Sequence, residues 1–376
     1  TLTLNNTNIS TFSSERIKDI STLTKININN NTALESVEFK DDGNALKQIL
    51  VRNCPDLREI TIEDNGKVEW ISIDNNKKLT TEGLRLAEEY EQLCALEVGN
   101  TGLTGTLKIP KFNTTPKFYP NLTHPSESLY TPQFMMEYSD VEIIDMSNAG
   151  TLSILYAPDC KNLSKITGTE NLTELQGLDV TNAPNLHYLD LPNLKEGGYN
   201  YIGVSGTDLA YLNIPDSINS IDLGYAANNL KAQSIDVEIS GYDPEKGYWA
   251  DLEAPFPGIK PEHIENLQDY VTKNGISGLE LDGGIIYGIE PDGYVTYSYK
   301  LNSSPVKRMN PILHFVDITL QDKVTVPVGD TGVEVTLPGG SVAKPGGSFT
   351  TPGDLTVNPD GTITTENGTN LTIPGT

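Results

Sequence analysis

Apolar and polar residues fall in a fixed frame along the first two thirds of the chain. In "LTKININNNTAL", residues 23–34, the apolar positions are Leu23, Ile26, Ile28 and Leu34, with Asn31 between them. The same frame returns at Leu46, Ile49, Val51 and Cys54, then at Leu57, Ile60, Ile62 and Asn65, then at Val68, Ile71, Ile73 and Asn76. A second run starts at Val141, Ile144 and Met146 and continues through Leu155, Leu178 and Leu189 to Leu212 and Ile218. The step is about 11 residues and recurs about a dozen times. Self-similarity on this scale predicts a solenoid, in which each unit buries its apolar face only against its neighbours.

The central apolar-x-apolar triplet alternates in and out, which is strand periodicity. The flanking leucines turn the chain back over its own core. At the last position an asparagine can satisfy backbone groups of a turn that packing hides from water. Cysteine or alanine substitutes there because it is small, so Cys54 and Cys160 are expected in the core rather than in a redox or metal site.

The pattern L-x-x-L-x-L-x-x-N/C-x-L resembles the signature of the leucine-rich-repeat family over about residues 1–110 and 138–230. The departure is the period, since ordinary units run 20–29 residues. Two half-repeats would make a coil of about 22 residues with two strands and little helix. The short strand-rich repeats of bacterial surface proteins, of Bacteroides type or internalin-like, are the most similar. The resemblance implies a mainly β leucine-rich-repeat solenoid on an extracellular bacterial cell surface.

Other segments depart from the frame. "TTEGLRLAEEYEQLCAL", 80–96, predicts a capped helix with Leu84, Ala87 and Cys94 on one face. Residues 111–137, rich in proline and aromatics, read as an insertion holding an ordered loop or a short helix near Pro132. "KPEHIENLQDYVTKNG", 260–275, predicts a helix with Ile264, Leu267 and Val271 inward and Gly275 as its stop. "GIIYGIEPDGYVTYSYKL", 284–301, predicts a β-hairpin, and 312–320 a further strand. The expected division is a solenoid over 1–230, a small α+β cap over 231–322, and a β-rich Gly/Pro stalk over 323–376. In the stalk, turns recur every 7–8 residues with little apolar content. It reads as a flexible stalk, a fibre completed by other chains, or a self-contained roll. Completion by other chains would give a homotrimer.

Charge narrows the partners. The 26 basic and 51 acidic residues leave a formal charge of −25, a field that repels nucleic acid and anionic lipid. No run of about 18 apolar residues occurs, so membrane insertion is not expected. The chain begins at Thr1 in a sequence already resembling the repeat, which points to a processed or cut N-terminus.

Chemistry is sparse. His124, His187, His263 and His314 are isolated, and no nucleophile elbow, phosphate loop or zinc motif appears. No catalytic residue, metal site or cofactor is expected. Asp145, Asp179, Asp190 and Asp222 share one outward position and could serve a carbohydrate-cleaving solenoid, but threonine and asparagine occupy the same position elsewhere, as in a solvated stripe. Just before the first strand leucine stands an aromatic stripe holding Trp70, Tyr188 and Tyr211, with His187 beside Tyr188 and with Tyr156 on the Ile154 strand. Tyr188 and Tyr211 lie one coil apart and should stack. Exposed aromatics on a rigid surface suit protein hot spots and sugar stacking, so these five residues are the candidate ligand site. The expected function is non-enzymatic recognition or adhesion toward a protein or glycan. The alternatives are a structural virion protein, such as a phage fibre or head decoration, and a carbohydrate-active enzyme.

Overall fold

The protein was analysed as a computed structural model. It describes residues 1–17, 20–41, 45–113, 117–119, 128–130, 132–150, 152–195, 201–218, 234–270, 278–303 and 308–316, and seven short strands between 324 and 372. The described chain is mainly β, built on a β-solenoid of about 8 stacked turns.

Each coil contributes one strand to a continuous nine-stranded parallel sheet, from Leu2–Asn5 through Lys25–Asn29, Gln48–Arg52, Trp70–Ser72 and Ala95–Glu97 to Gln133–Met135, Ile154–Tyr156, Gly177–Asp179 and Tyr201–Gly203. The register never slips between its central residues: Ile49 pairs with Ile71, Ile71 with Leu96, Leu96 with Phe134, Phe134 with Leu155 and Leu155 with Leu178. These inward residues are fully buried. A one-residue slip would turn every one of them outward, so the apolar frame itself fixes the register.

The other half-repeats form the opposite wall, and this wall is broken. It consists of a four-stranded sheet ending at Leu84–Leu86, a three-stranded sheet starting at Thr104–Lys108, and the pair Tyr188–Asp190 with Tyr211–Asn213.

The turn after each long-sheet strand enters the left-handed region, at Asn6, Asn30, Asn53, Asn75, Asn100, Tyr138, Asp159, Asn182 and Gly206. Asparagine, aspartate and glycine tolerate that conformation best. The frame asparagines act as expected. Asn31 accepts from the Thr7 amide at 2.6 Å and donates to the Leu4 and Asn29 carbonyls. Fully buried Asn76 accepts from the Cys54 amide and donates to the Val51 and Ile73 carbonyls. Cys54, Cys94 and Cys160 are buried and form no disulfide, and burial pushes the Cys160 thiol up to about 11.

Two expected helices are absent. Residues 80–96 hold two short strands, Leu84–Leu86 and Ala95–Glu97. Thr80 caps only one turn, its hydroxyl accepting from the Gly83 amide. The backbone then bonds the preceding coil, Ile60 N–H to the Gly83 carbonyl at 2.8 Å. A helix this short is marginal alone, and the ladder replaces its bonds. At 260–275, a 3₁₀ turn, Pro261–His263, leads into the strand Ile264–Asp269. Asn266 at φ 55° cannot sit in a right-handed helix; Val271 and Gly275 lie outside the described residues. The hairpin expected at 284–301 is likewise two strands of different sheets: Ile285–Ile289 pairs with Gly247–Asp251, and Tyr294–Lys300 with Ile312–Val316. The insertion does not interrupt the long sheet, because Gln133–Met135 pairs directly with Ala95–Glu97.

The chain divides into two compact units, Thr1–Gln233 with Tyr299–Pro311, and Ser234–Ser298 with Ile312–Thr376. In the first, the returning segment lies along the last coil. The Leu301 carbonyl accepts from Ile214 N–H, and Asn302 donates to the Pro215 and Ile218 carbonyls. The second unit holds a four-stranded sheet and most of a five-stranded one. Its described strands after residue 323 pair locally and antiparallel, such as Val324–Pro327 with Ser348–Thr351.

Candidate functional site

Because successive half-repeats alternate between walls, the aromatic stripe divides in two. Trp70 and Tyr156 belong to the nine-stranded sheet, while Tyr188 and Tyr211 belong to the broken wall.

On the broken wall, Tyr188 and Tyr211 are register partners and their rings stack at 5.6 Å and 18°. The expected stacking is present, but the expected exposure is not. Tyr211 is fully buried. The Tyr299 ring lies 5.9 Å from it, and the Tyr299 hydroxyl donates to Asn213 Oδ1 at 2.5 Å. Tyr188 and His187 are half-buried. The reason for the difference lies far along the chain, in the segment that returns to cover the last coil.

Trp70 is also a correction. It is 6% exposed and clusters with Leu50 and Ala95, and the Arg52 guanidinium lies 5.9 Å from its ring centre. Next to it on the same face stands a group of carboxylates. Asp74 accepts from the Ser72 hydroxyl at 2.7 Å and from the Gly99 amide at 2.9 Å. A Cβ at Gly99 would fall 2.8 Å from the Glu137 carboxyl, so this glycine makes room for that side chain. Burial, then repulsion from Asp74, pushes the Glu97 carboxyl up to about 7; the same two causes raise Glu137.

Tyr156 sits differently. The outward row around it runs Met135, Tyr156, Asp179, Gly203, and the parallel row runs Gln133, Ile154, Gly177, Tyr201. Between Tyr156 and Tyr201 the missing side chain of Gly177 leaves a hollow of about 390 Å³, lined also by Ile154, Gln176 and Asp179. A Cβ at Gly177 would meet nothing within 4 Å. One at Gly203 would lie 2.8 Å from the Tyr201 hydroxyl and 3.0 Å from Asp179 Oδ1, so those two polar groups converge over Gly203. Burial raises the Tyr156 hydroxyl, followed by the charges of Asp179 and Glu137, with Tyr138 and Asp159 adding to it.

Tyr138 is a residue the repeat analysis missed. It occupies the left-handed turn position at φ 51°, where the other eight coils carry asparagine, aspartate or glycine. A bulky side chain there is strained, and its ring is 62% exposed. The signal was available: Phe134 and Met136 continue the frame inside the stretch assigned to the insertion, Ser139 completes it just beyond, and Tyr138 precedes that asparagine-type position.

The outward aspartates do not converge. Asp145 and Asp190 lie on the broken wall and Asp179 on the long sheet, while Asp222 and His124 lie outside the described residues. Hydrogen bonds from Ser147 and Thr167 hold Asp145 below the usual carboxylate range. It lines a second hollow, about 850 Å³, where the wall breaks between Leu84–Leu86 and Thr104–Lys108. That hollow mixes Arg85, Lys108, Glu88 and Asp145 over Leu84 and Leu107. Among the described residues, no three His, Cys, Asp or Glu side chains are grouped to hold a metal, and no helix is long and apolar enough to cross a membrane. No family model, curated protein or solved structure matches the chain, and its function has to be argued from these surfaces alone.

Proposed function

We propose that this is a non-enzymatic recognition protein of leucine-rich-repeat type, displayed outside a bacterial cell, whose nine-stranded face is its binding surface. The observation that carries the reading is the tyrosine-walled hollow at Gly177. Concave sites with an apolar lining and few convergent polar groups are the usual ligand sites. A close-packed ladder holds this one in place, so little ordering cost accompanies binding. The fold alone assigns no ligand. The expected result on a glycan and protein-ectodomain array is a saturable binder that is lost when Tyr156 and Tyr201 are both changed to Ala. An array with no saturable binder sinks the reading.

One observation favours a second reading, carbohydrate cleavage. Glu97, pushed to about 7 beside Asp74 and Glu137, has the acidity a general acid requires. Against it, Glu97 lines neither of the two hollows described above. Release of reducing sugar by the protein, abolished in Glu97→Gln, would establish this reading over the first.

A further inference from the structure

We infer that the Gly177 hollow receives a cationic side chain, lysine or arginine, from a basic segment of a protein partner. The inference rests on the recognition reading above and names its occupant.

The hollow offers a cation two tyrosine rings and a carboxylate. Its walls are tyrosine rings, whose faces carry negative electrostatic potential. Its one charged group is the Asp179 carboxylate, which can only accept hydrogen bonds; Gln176 and the two tyrosine hydroxyls complete the polar lining. The charged neighbours that raise the Tyr156 hydroxyl, Asp179, Glu137 and Asp159, are all acids. Farther along the same face stand Glu97 and Asp74. The whole chain carries −25, a field that draws cations to the surface and concentrates them at a concave site.

The chain already shows such a contact in its second unit. There the Lys246 ammonium sits 4.4 Å from the Tyr287 ring centre while pairing with Glu280 at 3.0 Å. Tyrosine face plus carboxylate around an ammonium is the arrangement the Tyr156, Tyr201 and Asp179 side chains offer to a visitor. The size also fits, since 390 Å³ is near the lower end of the roughly 300–1,000 Å³ of small-ligand sites, enough for one side chain and not for a folded element.

Gly177 supplies the test. Its backbone is not in the left-handed region and its Cβ direction points into open space, so Gly177→Leu plugs the hollow with no change of charge. The probes are pentalysine, the same peptide acetylated on every amine, and maltopentaose, titrated into the full chain with the tyrosine ring resonances observed by NMR. Expected is a saturable pentalysine shift at Tyr156 and Tyr201, absent for the acetylated peptide and weakened at least tenfold by Gly177→Leu and by Tyr156→Ala. Tyr156→Ala, on a half-buried ring, keeps the test alive if the plugged variant misfolds. Pentalysine binding that survives both substitutions is diffuse attraction to an acidic surface and overturns the inference. Maltopentaose binding that Gly177→Leu removes, without a pentalysine shift, also overturns it while sparing the recognition reading. No binding by any probe overturns it as well, and the array above decides separately whether the recognition reading falls with it.

Discussion

Two pairs of tyrosines stand on opposite walls of the same solenoid, Tyr188 and Tyr211 one coil apart, Tyr156 and Tyr201 two coils apart. Tyr188 and Tyr211 stack on each other, and Tyr299 closes over the second ring. Tyr156 and Tyr201 are separated by the strand that carries Gly177, and the space between them stays open. The repeat sets all four at outward positions flanking an inward strand residue. What separates them is whether another piece of chain arrives to cover the ring. Position in a repeat therefore says which way a side chain points and not whether water reaches it.

The largest test of this contrast is truncation of the covered ring. Tyr211→Ala is expected to cost about 3–5 kcal/mol of folding free energy, as for other buried aromatics, and Leu189→Ala in the strand paired with it about 2–5 kcal/mol. Tyr156→Ala should cost under about 1 kcal/mol, since its half-exposed ring covers little core. Chemical denaturation of the three variants would break the comparison if Tyr156→Ala proved as damaging as Tyr211→Ala.

The same contrast runs along the turns. Asn76 is sealed inside its corner with every polar atom used. Its replacement by Ala leaves the Cys54 amide and two carbonyls unsatisfied, for a loss of about 1–3 kcal/mol. That loss should appear as a lower denaturation midpoint with an unchanged slope.

Glu97, on the nine-stranded sheet, should respond to pH. Its folded carboxyl titrates near 7, above the ordinary value of 4.5, so the native state holds its proton more tightly than the unfolded chain. Its contribution is fully present below about pH 4.5 and is lost as pH rises through 7. Wild-type protein should lose about 2–3 kcal/mol across that window relative to Glu97→Gln. Melting curves at pH 5 and pH 8 for both proteins test it, and parallel behaviour of the two would remove Glu97 as the cause.

The smallest effect sharpens the contrast most. Tyr138→Asn restores the residue type that most of the other coils use at the left-handed turn. It should stabilise the fold by about 0.5–1 kcal/mol while weakening whatever binds beside Tyr156. A substitution that raises the melting temperature and lowers affinity marks strain kept for function. One that lowers both would show that the Tyr138 ring supports the fold.

Much of this architecture could be read from the chain. Strand positions, register, inward residues and the role of Asn31 and Asn76 all follow from one local frame. Buried Cys54 and Cys160 follow from it too, because each property depends only on the residue and its nearest coils. The helix expected at 80–96 failed because propensity was weighed without the neighbouring ladder, which offers the Gly83 carbonyl a partner in Ile60 N–H. The Gln133–Met135 coil was hidden by its proline- and aromatic-rich surroundings, and Tyr138 with it.

What the sequence determined by itself was the coil, since a solenoid is an almost one-dimensional object whose period and core are written locally. What only the tertiary structure decided was cover and vacancy. Tyr299 reaches Tyr211 from 88 positions away in the chain, and no local pattern encodes that meeting. The open space between Tyr156 and Tyr201 is set by the glycine on the strand between them, a residue the repeat reads only as an outward position. Burial and cavity shape are sums over neighbours distant in sequence, and the frame carries no record of them.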